Sequence, residues 1–441
     1  MMIMGNMIGI GIFTTTGFNA QHLHSPAGLF LVWILGGIYA FCGALTYAEL
    51  SSRFPRAGGD YLFLKHAYHP LAGFLFGWST FTVTYSGSIA TIAIGFAAYF
   101  VRILPGDLPQ MTWRIPLLGA ELSLLKPVAL LVAFLLTLLN SRGIRKGAGF
   151  QNATTVLGII TLLAIIVAGF LSGRGNPAHF RPFLPDHFSP GEISMLGVAL
   201  VGVLFTYSGW TVLVYIAEEI KNPRKNIPAA MGMAVGLVAA LYILMNAVYL
   251  YAQPLREMPG TVEIGYRTLA ILFGKNTSLL FSLIIMLMVL SSLNATILSG
   301  SRVYFAMARE GLFFNPAGRL HPRYRAPANS LWLQFCWATV LILAGTFDQL
   351  LTYTVFVMVL FSFLSGIALF ILRRRAVREG EPATVYHAWG YPVIALIYLG
   401  ISAWLMGNTL YHQPLGALAG VLIVLSGTPF YFYWKKNSPL Y

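Results

Sequence analysis

Two short stretches of this chain carry the residue types from which an unwound backbone can be made inside apolar sequence: Gly9-Ile10-Gly11-Ile12-Phe13 and Phe205-Thr206-Tyr207-Ser208-Gly209-Trp210. Clustered glycine loosens a helix and leaves amides and carbonyls without intrahelical partners. Free amides at a half-helix N-terminus hold an anion such as a carboxylate, and free carbonyls at a half-helix C-terminus hold a cation such as an ammonium. An α-amino acid carries both groups. A single glycine in an apolar helix also serves close helix contact, so it is the pair of breaks that points to a site.

The elements that must position these stretches are membrane spans. Of 441 residues, 57% are hydrophobic and 10% charged, with mean hydropathy +0.72, against about 25% charged in a soluble domain. Apolar runs of about 18 residues or more predict twelve spans: 1–21, 27–52, 70–101, 122–140, 148–172, 192–219, 228–252, 276–308, 328–346, 349–372, 391–410 and 415–434. The expectation is an all-α integral membrane protein of about 12 transmembrane helices, with no separate soluble domain and no cleavable signal peptide. The chain starts directly in apolar sequence, MMIMGNMIGIGIF, so an upstream piece is expected to be missing. The breaks fall in spans one and six. These correspond if 1–172 and 192–372 are two five-helix repeats of opposite topology, followed by two additional helices in 391–434. Paired interrupted spans mark a transporter site at the bilayer midplane.

Charge supplies orientation. The formal charge of +14 is scattered in short clusters between apolar runs rather than gathered on one domain, so nucleic acid is not an expected partner. With the loop after span two taken as cytoplasmic, 20 of the 28 Lys and Arg residues fall on that side, which places both termini in the cytoplasm of an integral cell membrane protein. Cys42 and Cys336 both lie in apolar runs and form neither a disulfide framework nor a CxxC site.

The residues themselves resemble the amino acid–polyamine–organocation (APC) family of permeases, including bacterial relatives of the L-type amino-acid transporters. The matching stretches are GIGIF at 9–13, YAELSSRFPRAGGDYLFLKHAY at 47–68, LFTYSGWTVLVYIAEEIKNPRKNIP at 204–228, SSLNATILSGSRVYFAMAREG at 291–311, LRRR at 372–375 and WGYP at 389–392. They run in family order along essentially the whole chain. The resemblance implies a LeuT-type 5+5 inverted repeat with broken helices one and six. It also implies a substrate site in which Gly9, Ile10 and Gly11 present backbone to the carboxylate and the carbonyls around Phe205, Thr206 and Ser208 accept from the amine. Phe205 matches an aromatic gate over the substrate, with a packing or lipid-facing phenylalanine as the alternative. Ile10 departs from the family's GSG pattern and loses a hydroxyl, but not the backbone donors.

No Asp, Glu, Lys, Arg or His falls in the middle of any predicted span, where an ionisable group is costly and usually functional. Many relatives have a Lys in span five, and aligning QNATTVLGIITLLAII at 151–166 puts Gly158 at that position. Proton coupling through that Lys is therefore disfavoured. Exchange or facilitated diffusion remains, or a cation held by neutral oxygens near Gly9, Ser291 and Ser292, unless those serines only bond between helices. A charged substrate side chain would want a counter-charge, so neutral amino acids fit better, provided that no loop carboxylate or Arg reaches in. Thr206, Ser208, Tyr85 and Asn294 suggest hydroxyl and amide character, with helix-to-helix bonding an equal reading for Tyr85 and Asn294.

Glu218 and Glu219 end span six before Lys221, Arg224 and Lys225, which reads either as an inner gate or as a solvated helix end. Glu49 invites the same comparison. Arg373, Arg374, Arg375 and Arg378 read as a topology anchor. The loop at about 102–121 contains no cysteine, so the disulfide-linked heavy subunit of the L-type animal relatives is not expected; the oligomeric state is left open. There is no HExxH, no GxSxG with a His at depth and no paired acids within spans. No enzyme, catalytic residue, cofactor or metal centre is therefore expected. The leading expectation is a secondary transporter of neutral L-amino acids working by exchange or facilitation. A Na⁺- or H⁺-coupled symporter, a carrier of cationic amino acids or amines, and a membrane amino-acid sensor are the alternatives.

Overall fold

The computed structural model describes residues 1–55, 58–104, 112–115, 120–143, 147–184, 190–215, 220–345, 347–379 and 386–437. The first predicted span is two helices, α1 (Met2–Met7) and α2 (Ile10–Asn19), joined through Ile8 and an extended Gly9 at φ −128° and ψ −150°. The second is α3 (Pro26–Arg53), started by Ser25, whose Oγ accepts from the amide of Gly28, with Pro26 at the first helical position. Both devices suit a helix start, because proline lacks the amide that would be left over there. An eight-residue helix, α4 (Asp60–Ala67), fills the next connection.

The third span is continuous over Pro70–Ile103 but consists of α5 (Pro70–Ser79) and α6 (Tyr85–Ile103) around a π-helical turn at Thr80–Thr84. A short antiparallel hairpin, β1 (Thr112–Ile115) with β2 (Ala120–Ser123), follows, with Thr112 opposite Ser123. It amends the purely helical expectation. Then come α7 (Leu125–Ser141), α8 (Gly147–Leu171) and α9 (Pro190–Tyr207). A 3₁₀ turn at Ser208–Thr211 leads into the short α10 (Val212–Tyr215). The remaining helices are α11 (Pro223–Ala252), α12 (Ile264–Phe273), α13 (Lys275–Arg309), α14 (Ala328–Ala344), α15 (Phe347–Glu379), α16 (Val393–His412) and α17 (Pro414–Asn437).

Each of the twelve predicted spans thus coincides with helix. Among the described residues nine helices are long and apolar enough to cross a membrane, while α7 and α14 are shorter apolar helices and the first span is divided. Large apolar side chains are abundant on the outside, including Leu131, Ile160, Leu171 and Leu415. Such a surface is tolerated where the surrounding solvent is hydrocarbon. The protein is a multi-pass membrane protein.

The broken elements lie inside the bundle. The first span packs against α8, α9, α11 and α13, and α1 meets the 3₁₀ turn after α9. Trp33 of α3, Tyr207 of α9 and Tyr242 of α11 lock three helices together, with ring centroids 5.1 to 5.9 Å apart. Backbone that has lost helical partners cannot remain unpaired in such a place, and Tyr242 supplies one bond at the break, donating to the Met7 carbonyl at 2.6 Å. Tyr249 and Tyr99 add bonds to carbonyls within α2, to that of Ile12 at 3.0 Å and that of Phe13 at 2.8 Å.

Candidate functional site

A cavity of about 120 Å³ lies at the two breaks, with Gly9, Ile10 and Gly11 on one wall and Phe205, Thr206 and Ser208 on another. All six residues read as substrate-binding from the sequence therefore line one space. Gly9 caps α2 with no side-chain partner for the helix's first amides, which leaves donors of the kind that hold a carboxylate. The hydroxyl of Ser208 donates to the Phe205 carbonyl at 2.7 Å, and that of Thr206 to the Gly202 carbonyl at 2.9 Å. Helix α9 runs regularly through Phe205 to Tyr207 before tightening. The second break is accordingly a 3₁₀ turn that begins three residues later than the sequence reading placed it.

The walls are held together by close approach. Thr15 and Thr206 hydroxyls bond at 2.8 Å across α2 and α9. Gly209 meets the backbone of Asn6 and Met7 so tightly that a Cβ there would lie 2.5 Å from the Asn6 carbonyl carbon and the Met7 nitrogen. The Asn6 amide also donates to the Gly209 carbonyl at 3.3 Å.

The proposed cation group divides. Ser292 faces Gly9 and lines the cavity, whereas the Ser291 hydroxyl bonds that of Thr154 at 2.7 Å between α13 and α8. Gly158 sits opposite the first break: a Cβ there would be 3.0 Å from Met288 Cε and 3.5 Å from Ile8 Cγ2. Tyr85 lines the cavity, while Asn294 accepts from Asn140 at 2.8 Å as a helix-to-helix bond. Glu218 and Glu219 lie outside the described residues.

The premise that no loop carboxylate reaches the site is overturned by Asp60. It opens α4, lines the cavity and is 3% exposed. Oδ1 accepts from Tyr47 at 2.5 Å and from Ser365 at 2.6 Å, and Oδ2 accepts from Tyr215 at 2.8 Å. Burial pushes its carboxyl above the usual carboxylate range, while the bonds from Ser365, Tyr47 and Tyr215 pull the other way. Asp60 is not visible from the apolar spans because it arrives from a connection between them. The available signal was its place in the GGDY stretch at 58–61, beside Tyr47 and Tyr215 in the two blocks that carry the family resemblance.

Arg373 corrects a second reading, because it is more than an anchor. Its guanidinium forks onto Glu49 at 2.6 and 2.5 Å, Arg53 adds a bond at 2.8 Å, and the Ala388 amide donates at 2.7 Å. Glu49 is fully buried in this cluster, so it is not a solvated helix end. Arg375 donates to the carbonyls of His66 and Ala67 at the end of α4.

An apolar helical bundle whose interior cavity is bounded by two helix breaks, with a helix N-terminus that no side chain caps on one side, has the make-up of a permease. The chain belongs to the amino acid permease family, matching its model over residues 1–430, which bears out the APC resemblance read from the sequence. It is similar to the serine/threonine exchanger SteT of Bacillus subtilis (strain 168), with 29% identity over 440 residues covering 99% of this chain and 95% of the relative. It is equally similar, at 29%, to the human Asc-type amino acid transporter 1, over 99% of this chain and 81% of that one. The human large neutral amino acids transporter small subunit 2 is again 29% identical, over 99% of this chain and 79% of its own length. The family is one of permeases rather than enzymes.

Proposed function

We propose that this protein exchanges neutral L-amino acids across the membrane by alternating access, the carboxylate of the substrate held by amides at Gly9–Gly11 and its ammonium by oxygens around Phe205–Ser208. The observation that carries this reading is the single cavity shared by the two broken segments. Three similar proteins whose names state exchange or transport of amino acids support it. Phe205, buried against the cavity, is the gate over the substrate in this reading. Glu218 remains the sequence-derived candidate for the inner gate, and Gly9 with Ser292 the candidate cation site. Asp60 does not argue for a cationic substrate, because three hydroxyl donors already occupy its carboxylate.

In the same reading the helices form a LeuT-type arrangement. Residues 1–172 and 192–372 are the inverted five-helix repeats, 391–434 the additional pair, and both termini are cytoplasmic. The loop at 102–121 has no cysteine, so no disulfide-linked partner is proposed. The test is uptake of labelled L-serine and L-threonine into proteoliposomes with and without unlabelled amino acid inside, then with imposed H⁺ or Na⁺ gradients. Exchange requires internal substrate and ignores both gradients; accumulation driven by a gradient alone overturns it.

A further inference from the structure

Helix α4 is too short to span and reaches the cavity through Asp60, its first residue. Toward its far end Lys65 bonds Glu310 at 3.1 Å and Arg375 binds the carbonyls of His66 and Ala67, while Tyr61 in its first turn donates to the same Glu310 carboxylate. Its first residue, Asp60, is held by Tyr47 of α3, Tyr215 of α10 and Ser365 of α15. The preceding Gly58 and Gly59 have φ +131° and +51°, and a Cβ on Gly59 would lie 2.7 Å from the Tyr215 ring. These positions accept only glycine comfortably, so the chain enters α4 through a pair of conformationally free residues.

No Lys, Arg or His among the described residues pairs with Asp60. Among the described residues, Glu49 is engaged by Arg373 and Arg53, Lys65 by Glu310, and Arg375 by backbone. His66 is stacked on Phe54, and His69 caps α5. Among the described residues, the other titratable side chains that line the cavity are the tyrosines 39, 47, 85 and 215. The three hydroxyls touch the carboxylate directly. A metal ion would have to part them, whereas a proton adds to an oxygen without taking up space.

We propose that Asp60 is a proton-binding site that latches α4 beneath the cavity. As a carboxylate it draws the hydroxyls of Tyr47, Tyr215 and Ser365 together and keeps that end shut. A proton taken from solution onto Oδ1 or Oδ2 removes the charge-assisted part of all three bonds, roughly half their strength, and α4 swings away more readily. Burial without a cation raises the affinity for that proton. The proposal rests on the transport reading and adds a regulated step to it.

The test is exchange of labelled L-serine in proteoliposomes at equal pH on both sides, from about pH 5 to about pH 8, which spans the range a raised carboxyl can reach. Wild-type exchange is expected to rise about threefold or more on acidification, with a single-site midpoint. Asp60→Asn, neutral throughout, is expected to be flat at the acid plateau. Tyr215→Phe keeps the ring, removes one donor to the charged form and moves the midpoint to higher pH; it carries the test, with Ser365→Ala, if Asp60→Asn does not fold. A flat wild-type profile, an unchanged profile in Asp60→Asn, or a dependence on Na⁺ in place of pH overturns the latch. Exchange that is absent for every neutral amino acid at every pH overturns the transport reading instead.

Discussion

Replacing Gly11 by Ala tests whether the cavity walls are set by side-chain contact or by backbone. A Cβ at position 11 would lie 2.7 Å from Cγ2 and 2.8 Å from Cβ of Thr206, with Oγ1 closer still. Thr206 cannot turn aside freely, since it is buried and its hydroxyl is bonded to the Gly202 carbonyl and to Thr15. Overpacking of this kind costs about 1–3 kcal/mol, which as lost substrate affinity is a rise of about 5- to 150-fold in half-saturation concentration.

The obstacle is a side chain, so Thr206→Gly removes it entirely, at a helix-propensity cost of about 1 kcal/mol. The double variant Gly11→Ala/Thr206→Gly is therefore expected to be better than the sum of the singles by about 1 kcal/mol or more. At Gly209 the obstacle is the backbone of Asn6 and Met7, and Gly209→Ala should be as damaging with no side-chain substitution that restores it. The assays are the half-saturation constant for L-serine exchange in proteoliposomes and thermal unfolding in detergent. Strict additivity of Gly11→Ala and Thr206→Gly, or a Gly209→Ala variant with wild-type values, would refute the argument from close approach.

Three further outcomes follow from the same geometry. Phe205→Ala should raise the half-saturation constant while leaving membrane insertion intact, and unchanged kinetics would remove Phe205 as the gate. Gly158→Ala is tight only against the flexible end of Met288, with Ile8 at ordinary contact distance, so thermal unfolding should detect little loss or a slight gain; a loss like that of Gly209→Ala would contradict the packing described for α8. Arg373→Met leaves the fully buried Glu49 with Arg53 and one amide. A buried charge left without any partner costs about 3–5 kcal/mol; with Arg53 still in place the loss is expected to be smaller but readable as lowered yield and unfolding temperature, while the equivalent change at the exposed Arg374 should have little effect.

The sequence alone determined which segments form apolar helix, because twenty-residue apolar runs have one stable solution in hydrocarbon. Helix stands at all twelve predicted positions. It also determined the place of the first break, since Gly9 and Gly11 remove bulk from a run that would otherwise continue as helix, and it identified six of the residues that line the cavity beside the breaks. The second break was legible only approximately, because whether α9 ends at Phe205 or tightens after Tyr207 depends on what packs against it, in this case the backbone of Asn6 and Met7.

Tertiary structure decided the charges. Hydropathy reads each residue by its neighbours along the chain, so Asp60 counts as loop and Arg373 as a helix-end anchor. Only the three-dimensional fold carries α4 back under the cavity, where Tyr47, Tyr215 and Ser365, 13, 155 and 305 residues away in sequence, converge on one carboxylate. The same holds for Arg373 and Glu49, 324 residues apart. A local pattern determines which segments enter the membrane, because that choice depends on the segment and the solvent alone. Which polar groups satisfy one another inside depends on how the segments meet.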